Sequence, residues 1–222
     1  MTTVIRQATS GDLGMICRLR VQRTAWLTAR GSDQWTVAGR GLPIEIFARA
    51  AGRALDAGET WIVEVAGEPA GTITVNERAD PGLWTAGELA DSLIVHFMIV
   101  DLRFAGQRIG HRLLTHAGML AQQQDRAWVR LDAWTTNIAL HNYYRRAGFR
   151  LARIAGPAAT GPSQALFERL SDSWDAVAPP HDTSTPPGAI RVALRTGGRV
   201  PGPVPDVPEE LSTYSRNRSP RS

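Results

Sequence analysis

The sequence predicts a single α/β domain in which a mixed, mostly antiparallel sheet is flanked by helices. Three observations predict it: the order strand, helix, strand, helix over residues 92–149, a hairpin ahead of that segment, and a proline-rich stretch behind it. The chain has 222 residues, of which 43% are hydrophobic, and this is enough for one domain with a substantial core. We therefore expect the domain to occupy residues 1–170 and a disordered tail to occupy residues 171–222.

The central segment begins with an apolar run rich in β-branched residues, Ser92–Val100, which is typical of a buried strand. Apolar side chains then recur at helical spacing over Ile109–Gln124, and Ala127–Trp134 has the composition of a second strand. Asn137 is a suitable N-cap for a last helix, which Gly148 would end.

Shorter patterns predict the remaining elements. The turn-forming segment Ala66–Pro69 separates two β-branched runs and predicts a hairpin, and Pro43 precedes a second helical pattern. The further strands are predicted at Val4–Arg6, Thr60–Val65, Ala70–Val75, Arg150–Ile154 and Gln164–Leu170, and the further helices at about Leu13–Ala29 and Ile44–Gly58.

The tail prediction rests on composition. Residues 171–222 hold most of the 14 prolines of the chain and show little apolar periodicity. Such a segment lacks the apolar surface that would offset the entropy of ordering it. Truncation after Leu170 is therefore expected to leave the melting temperature nearly unchanged.

Charge and cysteine content exclude several classes of protein. The net charge is +4 and the pI about 10.1, but the arginines are mixed with acidic residues, so nucleic acid is not the expected partner. Cys17 is the single cysteine, which excludes an internal disulfide and a cysteine zinc cluster and suits a reducing cytoplasm. No metal site is predicted. No apolar run approaches the ~20 residues that span a bilayer, so no membrane association is expected.

The break between the first strand and the first helix of the central segment predicts an anion site. The first-turn N–H groups of a helix have no intrahelical partner, and the helix dipole favours negative charge there. A phosphate or pyrophosphate is the expected ligand, although a turn without any ligand fits the same pattern. The residues of this loop are Ala105, Gly106, Gln107, Arg108, Ile109 and Gly110.

The order of these parts resembles the GCN5-related N-acetyltransferase (GNAT) family. Its pyrophosphate loop has the pattern Gln/Arg-x-x-Gly-x-Gly/Ala, from which this chain departs at Ala105 and Arg108. The other loop positions of the pattern fit, and so do four positions downstream: Asn137, Tyr144, Gly148 and Phe149. The resemblance implies that acetyl-CoA is the acetyl donor, with its pyrophosphate on the loop, and that the acetyl group passes directly to a primary amine in a ternary complex.

The resemblance also implies roles for residues of the central segment. Tyr144 matches the tyrosine whose hydroxyl lies near the CoA sulfur, where it can protonate the leaving thiolate; a core tyrosine is the alternative. Asn137 matches an asparagine that orients the pantetheine arm, and a helix cap explains it equally. The backbone of Met98, Ile99 and Val100 corresponds to the strand whose N–H polarises the thioester carbonyl.

The acceptor side is less specified. In the family, the segment between the first two helices lies over the acceptor site, which makes Asp33, Gln34 and Trp35 candidate acceptor-binding residues; a simple turn is the alternative. Asp132 is a further candidate for acceptor binding.

The general base is predicted to be His96. Its ordinary pKa of ~6.5 suits a base at neutral pH, and strand alternation would place it on one face with Met98 and Val100. A core histidine is the alternative reading of this residue. Glu88, Asp91 and Asp132 are alternative bases, acting through a water molecule.

Two other functions compete with the enzyme. The loop departures favour a non-catalytic acyl-CoA-binding module, and the proline-rich tail favours a protein-interaction module. The acceptor of the enzyme would be a small-molecule or peptide amine, and the protein a monomer or homodimer.

Overall fold

The computed structural model describes residues 2–32, 34–35, 43–159 and 161–174. These residues form a seven-stranded sheet in the order β1-β2-β3-β4-β5-β7-β6, in which only the β4–β5 pair is parallel. The strands are β1 (Thr3–Gln7), β2 (Thr60–Val65), β3 (Glu68–Asn76), β4 (Ser92–Val100), β5 (Trp128–Ala133), β6 (Arg150–Ile154) and β7 (Ala165–Leu170). The helices are α1 (Leu13–Thr28), α2 (Ile44–Asp56), α3 (Ala86–Ala90), α4 (Ile109–Gln123) and α5 (Ile138–Arg146). The predicted fold class is confirmed.

Helices cover both faces of the sheet. On one face, α4 buries Leu113 and Leu114 against a core that includes Ile73 of β3 and Val95 of β4. On the other face, α1 and α2 form a second core, where Phe47 packs with residues of the sheet and of α1. Removal of this apolar surface from water is the main favourable term in folding.

A β-bulge in β4 changes which side chains face α4. Phe97 has φ +47°, and the pairing with β3 shifts so that Thr74 opposes His96 while Thr72 opposes Ile99. Two residues of β4 therefore stand opposite Ile73, as in a β-bulge. The side chains that face α4 are therefore at odd-numbered positions before Phe97 and at even-numbered positions after it.

The segment after β7 continues the folded domain. Residues Ser171–Trp174, which were predicted to begin the tail, form a 3₁₀-helix. The Trp174 ring lies 5.8 Å from the Phe149 ring and 3.8 Å from the Arg169 guanidinium carbon. It also lies against α4 at Gly118, where an added Cβ would be 2.5 Å from the indole. A single aromatic anchor leaves no periodic pattern in the sequence, which is why composition missed it. Residues 175–222 of the predicted tail lie outside the described residues.

These contacts reverse the expectation for truncation. A chain ending at Leu170 should be less stable than one ending at Trp174 by about 2 kcal/mol, roughly half the cost of removing a fully buried tryptophan. In a domain of this size the melting temperature should fall by several degrees, which calorimetry of the two truncated chains would measure. Trp174→Ala in the full chain should reproduce most of the loss. Equal melting temperatures for the two truncations would contradict the packing of Trp174.

Candidate active site

The gap between β4 and β5 is the centre of the candidate site. The two strands pair in parallel only from Ser92↔Trp128 to Val95↔Leu131, and then they separate. The edge of β4 that faces β5 is therefore free over its last residues, which include Met98 and Val100. Strand edges without a partner present N–H and C=O groups to a ligand. The resemblance assigns the backbone of this free edge to the thioester carbonyl of acetyl-CoA.

Arg23 of α1 closes one end of the free edge. Its Nη2 donates a 2.6 Å hydrogen bond to the carbonyl oxygen of Val100. That carbonyl is therefore already paired in this structure. The contact spans 77 residues of sequence, so no local pattern could have predicted it.

The loop before α4 has a left-handed backbone at two of its residues. Gly106 has φ +82°, and Arg108, the N-cap of α4, has φ +59° and ψ +22°. Arg108 thus takes the left-handed conformation at the position where the family pattern has glycine, at a cost of about 1–2 kcal/mol. Within the described residues no side chain caps α4. No side chain therefore competes for the first-turn amides, and the anion site at this helix end stays a prediction.

Tyr143 reaches the same helix end, a contact that the sequence analysis did not predict. An added Cβ on Gly110 would lie 2.2 Å from the Tyr143 hydroxyl oxygen, so only glycine leaves room for this ring. The hydroxyl is buried and has no hydrogen-bond partner among the described residues. Substitutions at Gly110 would therefore displace Tyr143 as well as crowd the loop.

Tyr144 is buried in the core that α4 shares with the sheet. Its ring lies 5.9 Å from the Phe149 ring and 5.7 Å from the Phe167 ring. Burial raises the pKa of Tyr144 well above its ordinary value of 10.0, and the charges of Tyr143 and Asp132 raise it further. The phenol is thus protonated at all physiological pH values, as a proton donor must be.

His96 does not share a face with Met98 and Val100, so that prediction is wrong. Met98 and Val100 pack on the α4 side, whereas the bulge at Phe97 leaves His96 on the opposite side, 6.1 Å from the Phe97 ring. The His96 Nε2 lies 2.7 Å from the Arg78 carbonyl oxygen and must donate to it, because a carbonyl only accepts. Burial lowers the pKa of His96 below 6.5. The ring is therefore neutral at pH 7, with Nδ1 as its basic nitrogen.

Asp132 lies on β5 at the point where the β4–β5 pairing ends. The register places it one residue beyond the last β4–β5 pair. Its β5 neighbours Leu131 and Ala133 face the α4 core, so Asp132 lies on the opposite face, like His96. Burial raises the pKa of Asp132 to about 7, the negative charge of Asp80 adds to the shift, and a hydrogen bond with Ser163 opposes it. A carboxyl group that titrates near neutrality is suited to accept a proton.

The other alternative bases are engaged elsewhere. Glu88 forms an ion pair with Arg153 and caps α3 through Thr85, and these bonds lower its pKa to about 2. Asp91 accepts from the Ala127 amide at 3.2 Å. Neither carboxylate lies in the gap.

The predicted acceptor segment meets α5. Gln34 is buried, and its Oε1 accepts a 2.9 Å hydrogen bond from Asn137 Nδ2. Asn137 Oδ1 accepts from the Leu140 amide at 3.0 Å, which confirms the predicted N-cap. Trp35 lies under the Arg20 guanidinium, whose carbon is 3.8 Å from the ring centroid. Asp33 lies outside the described residues.

Two further features are absent from the ranges that the structure describes. No helix there is both long and apolar enough to cross a membrane. No cluster of three or more His, Cys, Asp or Glu side chains in those ranges is arranged to hold a metal ion.

Part of the chain matches a known protein family. Residues 56–151 match the acetyltransferase (GNAT) domain. The uncharacterized N-acetyltransferase YesJ of Bacillus subtilis (strain 168) is 29% identical over 141 residues, which are 62% of this chain and 76% of that protein.

Solved structures share the fold. A GNAT-family acetyltransferase from Listeria monocytogenes superposes with a TM-score of 0.61 at 22% identity, over 76% of this chain and 94% of that one. The PaiA N-acetyltransferase from Thermoplasma acidophilum, solved in complex with coenzyme A, gives 0.53 at 17% identity, over 77% and 99%. The resemblance predicted from the sequence is confirmed, and so is the predicted enzyme class, an acyltransferase.

Proposed function

We propose, from the premise that residues 56–151 form a GNAT acetyltransferase domain, that this protein transfers an acetyl group from acetyl-CoA to a primary amine by direct transfer. The observation that carries the proposal is the free edge of β4. It leads from the uncapped N-terminus of α4 to the end of the β4–β5 pairing, one residue before Asp132, whose charge acts on Tyr144. An extended thioester with a pyrophosphate at one end fits such a groove.

The loop and the free strand edge supply the donor site. The first-turn amides of Ile109 and Gly110 would hold the pyrophosphate, with Ala105, Gly106, Gln107 and Arg108 around it. The backbone of Met98, Ile99 and Val100 would face the pantetheine arm and the thioester. In this arrangement the Met98 N–H polarises the carbonyl as it becomes an oxyanion.

Asp132 is the group we assign to the acceptor nitrogen. Its carboxylate binds the acceptor ammonium and takes one of its protons, and the neutral amine then attacks the thioester carbon. We assign this role to Asp132 rather than His96, because burial raises the pKa of Asp132 to about 7 and lowers the pKa of His96 below its ordinary value.

Tyr144 is the group we assign to the leaving sulfur. As the C–N bond forms, the C–S bond breaks, and the departing thiolate takes a proton from the Tyr144 hydroxyl. The second proton, released by the attacking nitrogen, restores the phenol, and Asp132 gives up the first proton to solvent. No covalent acetyl-enzyme is required, and Cys17 is buried in the α1–α2 core.

An amine panel tests the proposal. The protein is incubated with acetyl-CoA and a polyamine, an aminoglycoside, an amino acid or a peptide with a free N-terminus, and acetylated products are identified by mass spectrometry. The chain contains no lysine, so acetylation of its own side-chain amines cannot obscure the result. Acetyl-CoA alone should leave the intact mass unchanged. Binding of acetyl-CoA without any acetylated amine would instead favour the non-catalytic acyl-CoA-binding module.

A matched pair at Gly106 tests the donor site. An added Cβ there meets nothing within 4 Å, and the backbone is left-handed, a conformation that both Asp and Asn adopt. Gly106→Asp should weaken acetyl-CoA binding by about tenfold or more relative to Gly106→Asn, since only the former adds negative charge beside the pyrophosphate. Titration calorimetry measures both, and the difference should shrink at high salt. Equal acetyl-CoA affinities for the two variants would show that the pyrophosphate does not bind at this loop.

A further inference from the structure

The contact between Gln34 and Asn137 joins the acceptor segment to the helix that carries Tyr144. The two residues are 103 positions apart in sequence, and the Asn137 Nδ2 donates to the Gln34 Oε1 at 2.9 Å. The Gln34 residue is only 6% exposed. A buried polar side chain is normally hydrogen-bonded, and a partner lost from such a bond is costly.

The side-chain amide of Asn137 makes two hydrogen bonds with different functions. Its oxygen accepts from the Leu140 amide and so caps α5, while its nitrogen holds Gln34. The first turn of α5 and the segment after α1 are therefore fixed by one side chain. Tyr144 lies two turns along the same helix.

Trp35 supplies a second anchor to the segment. The guanidinium of Arg20, on α1, lies over its ring. Trp35 also has φ +71°, a left-handed conformation that costs a non-glycine residue about 1–3 kcal/mol and persists only where surrounding contacts hold it. Gln34 and Trp35 are thus held from two sides, by α5 and by α1.

We propose that Gln34 is a positioning residue for catalysis, which acts through Asn137 to hold α5 and the Tyr144 hydroxyl in place relative to the acceptor segment. This inference rests on the proposed function of Tyr144. It replaces the expectation that the Gln34 amide contacts the acceptor. Displacement of a catalytic group by about 1 Å can cost on the order of 10²-fold in rate, so the contact should matter for kcat more than for acetyl-CoA binding.

A double-mutant cycle isolates the contact. In Gln34→Glu, a carboxylate oxygen still accepts from Asn137. In Asn137→Asp, the α5 cap is kept, because Asp caps as well as Asn, and the Gln34 amide can turn to donate its Nε2–H. In the double variant two carboxylates meet with no donor between them. The cycle subtracts any direct role that either residue has on its own.

The expected result is non-additivity in kcat. With the panel amine that turns over fastest, the double variant should lose about tenfold more kcat than the product of the two single losses, which is mid-range for contacting residues. Acetyl-CoA affinity should show no such coupling. Asn142→Asp, on the exposed side of α5, replaces Asn137→Asp in a control cycle that should be additive. The proposal would be overturned if the loss of kcat in the double variant equalled the product of the two single losses. It would also be overturned if the two substitutions were coupled only in their effect on the free energy of unfolding.

Hydrogen exchange separates this inference from the proposed function. The Leu140 amide and the peptide containing Trp35 should exchange faster in the double variant than either single variant predicts, with acetyl-CoA as the only ligand present. If no amine turns over, the proposed function fails and the positioning role with it, whereas coupled exchange still reports the contact. If amines turn over but kcat and exchange show no coupling, only the positioning role fails.

Discussion

Replacement of Tyr144 by phenylalanine is expected to lower kcat by about 10²- to 10⁴-fold, the usual worth of a general acid. The substitution keeps the ring and its contacts with Phe149 and Phe167. The unfolding free energy should therefore change by no more than about 1 kcal/mol. Acetyl-CoA affinity should also be nearly unchanged, because the hydroxyl acts on the leaving sulfur rather than on the bound donor. Steady-state kinetics and titration calorimetry measure the two quantities.

Tyr143 provides the matched control for this experiment. Tyr143→Phe removes the neighbouring hydroxyl, which is buried without a partner among the described residues. It should leave kcat within a few-fold and maintain or raise stability, since an unpaired buried hydroxyl is a cost. A larger loss of kcat from Tyr143→Phe than from Tyr144→Phe would show that the wrong tyrosine was assigned. Retained activity with altered stability in Tyr144→Phe would make Tyr144 a core residue only.

The architecture was predictable because its elements carry local patterns. The apolar run of β4, the helical spacing of α4 and the turn between β2 and β3 are each visible within a short window. The N-cap at Asn137 is also local, since it bonds the amide three residues on. Consistency of these short-range preferences with the final fold is what allows a sequence to indicate it.

The bulge in β4 was not predictable in the same way. The residue with positive φ is Phe97, and no glycine, asparagine or aspartate marks the position. Phe97 packs edge-on against Phe47 of α2, with ring centroids 5.0 Å apart. This tertiary contact accompanies a conformation that the local sequence disfavours. The assignment of His96 to the face of Met98 and Val100 went wrong for this reason alone.

Long-range contacts explain most of what else the sequence left open. Three contacts join segments that are far apart in the chain. They are the Gln34–Asn137 hydrogen bond, the Arg23–Val100 hydrogen bond and the packing of Trp174 on Phe149. Asn137 and Gln34 were both predicted to be functional residues, but through contacts with ligands. Their contact with each other depends on how the first helices dock on the sheet.

Replacement of Asp132 by asparagine is expected to lower kcat/KM by about 10²- to 10⁴-fold if the carboxylate is the general base. Because the pKa of Asp132 is raised to about 7, activity of the wild-type protein should rise with pH through neutrality as the carboxylate forms. The variant should lose both the activity and that rise. Rates measured from pH 5.5 to 8.5 with one amine would show it, and the same experiment on His96→Gln should leave the rise in place.

A substitution of Asp80 provides a control that shifts the pH dependence of activity and leaves the Asp132 carboxylate in place. Its negative charge contributes to the raised pKa of Asp132, and its own side chain is exposed. Asp80→Asn should therefore shift the rise in activity to lower pH and keep the plateau rate within a few-fold. A rise that persists unshifted in Asp132→Asn and disappears in His96→Gln would move the role of base to His96.

Stability should change in the opposite direction to activity in the Asp132 variant. The folded-state pKa of about 7 lies above the ordinary 3.8, so between these values the folded protein holds a proton that the unfolded chain releases. The wild-type protein therefore loses stability as pH rises from about 4 through 7, whereas asparagine is neutral throughout. Asp132→Asn should melt higher than the wild type at pH 8, and the difference should vanish near pH 4. A carboxylate with only a structural role would not give this gain in stability together with a loss of turnover. If Asp132→Asn were instead less stable than the wild type at pH 8, burial would not be penalising the negative charge of Asp132.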